Sequence, residues 1–124
     1  MDQLDGARVL VVDDSPIARA QMARQLDIAG AEVTAVSTAK EAMAALAAAP
    51  YDVIVSDIYL EGSDGLALVR AAKRAHPRIL AVAVTARADE ESRRKALAAW
   101  FDDFIPKLVS ALLVPSVARL RTPI

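Results

Sequence analysis

The run VLVVDDSP, residues 9–16, carries four apolar residues straight into two adjacent carboxylates and then into Ser-Pro. Asp13 and Asp14 therefore emerge where a buried strand ends. A third acid, Asp57, follows the run DVIVS at 52–56, Thr85 closes ILAVAVT at 79–85, and Lys107 closes DFIPK at 103–107. If these runs are parallel strands, all five groups meet at one rim of a sheet. Three carboxylates in one crevice repel each other and call for a cation. With hard oxygen ligands only and no cysteine, Mg2+ suits the set better than Zn2+.

The elements that must position these groups are legible in the apolar pattern. RVLVV (8–12), DVIVS and ILAVAVT are continuous Val/Ile/Leu/Ala stretches, as expected for strands buried on both faces of a parallel sheet. EVTAV (32–36) is partly polar, and DFIPK contains Pro106, which cannot donate to a ladder and belongs at an edge. Helices are expected between them. The first runs from Pro16 to about Ala29, with Ser15 as N-cap, Gly30 as stop, and Ile17, Met22, Leu26 and Ile28 on its apolar side. The second covers about Ala39 to Ala48, the third Gly65 to Ala75, and the fourth Asp89 to Trp100, with acids in its first turn as the helix dipole prefers. A fifth begins near Ser110. Strand and helix alternate five times, which implies an α/β fold: a doubly wound, five-stranded parallel sheet of order 2-1-3-4-5 with helices on both faces. In such sheets the site lies beyond the carboxyl ends of the strands, where the winding reverses.

At 124 residues, one domain spanning 1–124 is expected. A net charge of -1 gives no basic field for nucleic acid or a membrane surface. No apolar run approaches the roughly 20 residues that span a bilayer, and MDQLDGAR lacks the basic-then-apolar order of a signal peptide. A cytoplasmic location is the expectation.

Asp13-Asp14 after the first strand, Asp57 in VSDIYLEGSDG, Thr85 in VTA and Lys107 in DDFIPK resemble the receiver domain of bacterial two-component response regulators, over essentially the whole chain. The resemblance implies a flavodoxin-like fold and a phosphoacceptor. Asp57 would attack a phosphoryl group carried on a partner histidine kinase or histidine phosphotransfer protein. Asp14, Asp57 and the backbone carbonyl of Tyr59 would ligate Mg2+, with Asp13 acting largely through water. Lys107 would pair with the phosphoryl group and Thr85 would hydrogen-bond it. Phosphorylation adds about one to two negative charges, which would draw Thr85 and Lys107 inward and toggle Phe104, three residues before the lysine. The readout surface would be the fourth helix, fifth strand and fifth helix, meeting a downstream protein or an output domain.

The chain departs from the family pattern in places. Lys107 is followed by Leu108 rather than proline, so a trans bond is expected. Tyr59 and Arg87 stand two residues after Asp57 and Thr85, positions that in the family influence loss of the phosphoryl group; a tyrosine there would shield it. Trp100 and Phe101 replace a usual Gly-Ala pair, and Leu112 and Leu113 stand where charges are usual, which suggests an apolar partner or homodimer surface. The competing expectation is that these side chains repack inward. Pro115 inside the fifth helix should kink it or delay its start.

Elsewhere the plain readings are structural. Ser63 and Asp64 read as caps, Glu61, Asp89, Glu90 and Glu91 as solvated, Asp102 and Asp103 as a polar turn, and His76 as a surface residue ending the third helix. Two other functions compete with a phosphorylated switch. One is a pseudo-receiver that binds partners without phosphorylation. The other is an aspartyl phosphohydrolase, which would typically carry D-x-D at the first strand end, where VVDDSP has none. A stand-alone receiver and one cut from a longer protein fit equally.

Overall fold

A computed structural model describes residues 3–122 of the chain. The five main strands are β1 (Arg8–Val12), β2 (Glu32–Val36), β3 (Val53–Ser56), β6 (Leu80–Thr85) and β7 (Asp103–Pro106). They form one sheet in the order β2-β1-β3-β6-β7, every pair parallel. This is the flavodoxin-like order expected from the sequence. The register aligns Val9 with both Val33 and Val53, so the strands on either side of β1 end level with the Asp13 rim. Pro106 sits at the end of the edge strand, where its missing N–H leaves no gap in an interior ladder.

Side chains alternate across the sheet. Leu10, Val12, Ile54, Ala81 and Ala83 face one core with α2 (Ala39–Ala48), α3 (Gly65–Ala75) and α4 (Glu90–Ala98). Val9, Val11, Val53, Val55, Val82 and Val84 face the other with α1 (Pro16–Ile28) and α5 (Leu113–Arg121). Ser15 caps α1 by accepting from the Ala18 amide, and Asp64 caps α3 through the Leu66 amide.

Several details correct the sequence reading. Ile17 and Ile28 point to solvent rather than into the core; Met22 and Leu26 carry the buried side of α1, with Ala18 packed alongside. Between β3 and α3 the chain makes a small antiparallel hairpin, β4 (Tyr59–Leu60) with β5 (Ser63–Asp64), turning at Gly62. Asp102 and Asp103 are not a free polar turn. Asp102 accepts from Lys73 Nζ at 2.7 Å and from the Ala81 amide at 2.8 Å, while Asp103 opens β7 and holds Ser116 and Arg119 of α5. Asp89 is more than solvated: it is the N-cap of α4, 2.7 Å from the Ser92 amide.

Two of the four residues expected on an apolar surface are buried. Beyond α4, Trp100 takes a left-handed backbone, φ 82°, and the amides of Trp100 and Phe101 return to the carbonyls of Leu97 and Ala96. This is a Schellman closure with tryptophan where glycine is usual. It drives Phe101 into the α2–α4 core and leaves Trp100 outside. Leu113, likewise, is wholly buried as the first residue of α5, against the α1 side of the sheet, while Leu112 is exposed. A 3-10 turn, Lys107–Leu112, precedes α5, so the helix does start late. Pro115 falls in its first turn, where an amide would have no intrahelical partner.

Candidate functional site

Asp13 is fixed from three sides at the end of β1. Its amide donates to the Val36 carbonyl at 3.2 Å, Oδ1 accepts from the Ser15 amide at 2.8 Å, and its carbonyl accepts from Arg19 Nη1 at 2.8 Å. Its side chain is fully buried. Asp57 follows β3 with its amide on the Val12 carbonyl, and its Oδ1 accepts from the Tyr59 amide at 3.0 Å. Strand pairing thus brings the two acids to neighbouring positions. The Lys107 ammonium lies between them, 2.9 Å from Asp13 Oδ2 and 3.0 Å from Asp57 Oδ2.

The electrostatics of this trio are lopsided. Burial opposes the charge on Lys107, but the two carboxylates outweigh burial and hold the ammonium above its ordinary range. Asp13 Oδ2 nonetheless receives no aligned hydrogen bond and is fully buried. Its neighbour is the Lys107 ammonium, 2.9 Å away. Asp14 is turned to the hairpin: its Oδ2 accepts from the Glu61 amide at 2.6 Å. Glu61, read from sequence as solvated, thus contributes its backbone amide to the site.

Thr85 ends β6 and is buried, and its Oγ1 accepts from the Arg87 amide at 3.3 Å. Phe104 is half-buried on β7 and packs against the α2–α4 core. Asp13, Asp57 and Lys107 therefore meet directly, Asp14 approaches through the hairpin, and Thr85 borders the group from the adjacent strand.

Among the described residues, no three acids or histidines gather closely enough to cage a metal ion. The donor set still fits magnesium. That ion keeps several waters and takes one or two carboxylates rather than a full protein cage, and Asp13 Oδ2 is a buried oxygen without an aligned donor.

Residues that the sequence did not single out also shape the site. Gly65 opens α3 against the backbone of the phosphoacceptor candidate: a Cβ there would lie 2.1 Å from the Asp57 carbonyl oxygen and 2.8 Å from the Ile58 Cα. Arg19 and Ser92 make their contacts across the fold, and no local pattern announces them.

Residues 9–114 match the family described as the response regulator receiver domain. The chain belongs to that family. Among its relatives, the DNA-binding transcriptional regulator NtrC of Salmonella typhimurium is 37% identical over 99 residues, which cover 80% of this chain and 21% of NtrC. The receiver domain thus spans about a fifth of the length of that relative. Among solved structures, the receiver domain of NtrX from Brucella abortus has a TM-score of 0.82 at 32% identity, covering 90% of this chain and 95% of that one. The response regulator TrrA of Thermotoga maritima, in complex with Mg2+-BeF, has a TM-score of 0.81 at 25% identity, covering 92% and 98%. Receiver domains act in two-component systems, and phosphorylation and Mg2+ are general features of the family. Among the described residues of this receiver domain, no helix is long and apolar enough to cross a membrane.

Proposed function

We propose that Asp57 is the phosphoacceptor of this receiver domain. The observation that carries the reading is the Lys107 ammonium 3.0 Å from Asp57 Oδ2, a cation already aimed at the oxygen where a phosphoryl group would be bonded. Asp57 Oδ2 attacks phosphorus on the phosphohistidine of a partner kinase or phosphotransfer protein; the P–N bond breaks and the imidazole nitrogen leaves with the electron pair. Lys107 then pairs with the phosphoryl oxygens as a point charge, and Thr85 donates its hydroxyl to one of them. Asp13, Asp14, Asp57 and the Tyr59 carbonyl are the proposed holders of Mg2+, with Asp13 acting largely through water. When bound, that ion supplies neutralisation of the transferring oxygens.

Drawing Thr85 and Lys107 toward the new charge changes the packing of Phe104 and so the face built from α4, β7 and α5. On that face Trp100 and Leu112 are exposed and available to a downstream protein, an output domain or a second copy; Phe101 and Leu113 are not. The exchange is proposed to take place in the cytoplasm, without direct contact to nucleic acid. Acetyl phosphate with Mg2+, followed by intact mass measurement, tests the reading. A single phosphoryl adduct that disappears in Asp57→Asn is expected. An unmodified wild-type chain that still binds its partner would favour a pseudo-receiver instead.

A further inference from the structure

Tyr59 is joined to its surroundings at three points that no one element explains. Its amide donates to Asp57 Oδ1 at 3.0 Å, its hydroxyl shares a hydrogen bond of 2.5 Å with Ser92 Oγ, and the Arg87 guanidinium lies 5.1 Å from its ring centroid. Each partner is itself anchored. Ser92 is fully buried in the first turn of α4, and its amide donates to the N-cap Asp89. Arg87 pairs with Asp89 Oδ2 at 3.1 Å, and its amide donates to Thr85 Oγ1. Tyr59, Ser92, Asp89 and Arg87 thus form a closed ring of contacts, to which Asp57 at the end of β3 and Thr85 at the end of β6 are each joined by one hydrogen bond. Tyr59 remains more than one-third exposed, so its hydroxyl would find water at little cost without Ser92. What Ser92 adds is direction: it fixes the hydroxyl end of the ring to α4 while the backbone amide of the same tyrosine holds Asp57.

We infer that Ser92 is a positioning residue for the chemistry at Asp57: it ties the Tyr59 ring to α4 as a cover, so that the first turn of α4 sets the lifetime of a phosphoryl group there. This rests on the reading of Asp57 as phosphoacceptor. In the step that the cover slows, a water oxygen bonds phosphorus, the Asp57 Oδ–P bond breaks, the carboxylate leaves with the electron pair, and the water proton passes to phosphate and solvent. A partner that displaces the first turn of α4 would, on this account, also shorten the lifetime.

The test loads the full chain with acetyl phosphate and Mg2+, removes the donor, and follows the remaining phosphoprotein with time. Ser92→Ala should lose the group about fivefold faster, the worth of one part-buried hydrogen bond. Tyr59→Phe, which keeps the ring, should match it, and the double variant should be no faster than either. Ser92→Thr, which keeps a hydroxyl, should return toward the wild-type lifetime. A wild-type lifetime in Ser92→Ala, or single effects that multiply in the double variant, would overturn the inference. Amide hydrogen exchange at residues 90–93 of the unphosphorylated chain reads the tie separately: it should quicken in Tyr59→Phe, and unchanged exchange would overturn the tie. A wild-type chain that takes up no phosphoryl group would overturn the reading of Asp57 itself, and this role for Ser92 with it.

Discussion

Lys107 Nζ lies 3.0 Å from Asp57 Oδ2 although the lysine stands outside β7, in the 3-10 turn that follows it. Pro106 ends the strand in extended backbone, and the chain turns at once, so the side chain reaches back over the strand ends. The ammonium is the protein's own countercharge for two acids whose side chains are 0% and 7% exposed.

Removing that countercharge strands both acids. Lys107→Met should lower stability by about 1–3 kcal/mol at pH 7, less than for a fully buried pair because the lysine side chain retains 21% exposure. Because the ammonium is held above its ordinary value of 10.5, its contribution is full below that pH and is lost as the pH rises through the higher folded value. Urea unfolding of both proteins at pH 7 measures the difference, and Mg2+ should recover part of it.

Gly65 permits the close approach of α3 to Asp57. A methyl group would meet backbone atoms at 2.1 and 2.8 Å, and backbone has no rotamer by which to yield. Gly65→Ala should therefore destabilise by about 1–3 kcal/mol, the usual range for overpacking, and shift the amide resonances of Asp57 and Ile58. Thermal unfolding and a two-dimensional amide spectrum read both effects.

The same closing motif appears twice with different residues. After α1 the left-handed position is Gly30, φ 99°; after α4 it is Trp100, φ 82°. A left-handed non-glycine residue costs about 1–2 kcal/mol. The Arg74 guanidinium, 5.5 Å from the Trp100 ring, offsets about 0.5–1 kcal/mol of that. Trp100→Gly should therefore change stability by less than about 1 kcal/mol, the relieved strain being offset by the lost guanidinium contact and by the flexibility of glycine when unfolded. Circular dichroism melting, which needs no tryptophan signal, measures it.

Asp89 is held down to about 2 from 3.8 by hydrogen bonds from Ser92, its amide foremost, and from Arg87. Its carboxyl is lower folded than unfolded, so the cap stabilises α4 above pH 3.8 and fails as the pH falls through about 2. Amide signals of Ser92 and its neighbours should move in that window, and Asp89→Asn, which still caps, should remove the transition.

The sheet order and the rim of acids were legible because fully buried strands leave continuous Val/Ile runs, each ending on a chemically distinct residue. Other features depend on contacts that sequence distance hides. Ile17 and Ile28 look like core because they are apolar, yet they lie off the Ala18–Met22–Leu26 stripe, spaced four residues apart, that faces the sheet. Strands of two residues, as in the Tyr59–Leu60 hairpin, are too short to show a period. Asp102 resembles turn chemistry until Lys73 and the Ala81 amide are brought to it from other elements, and Ser92 meets Tyr59 from 33 residues away. Phe101 resembled surface because nothing local announced that Trp100 would take a glycine-like conformation and turn it inward.

The identity of the acceptor is open to a direct chemical reading. Borohydride reduces an acyl phosphate where it stands, and peptide mass mapping then locates the reduced residue. After treatment with acetyl phosphate and Mg2+, reduction at Asp57 alone is predicted. Reduction at Asp13 or Asp14, or none at all, would contradict the account.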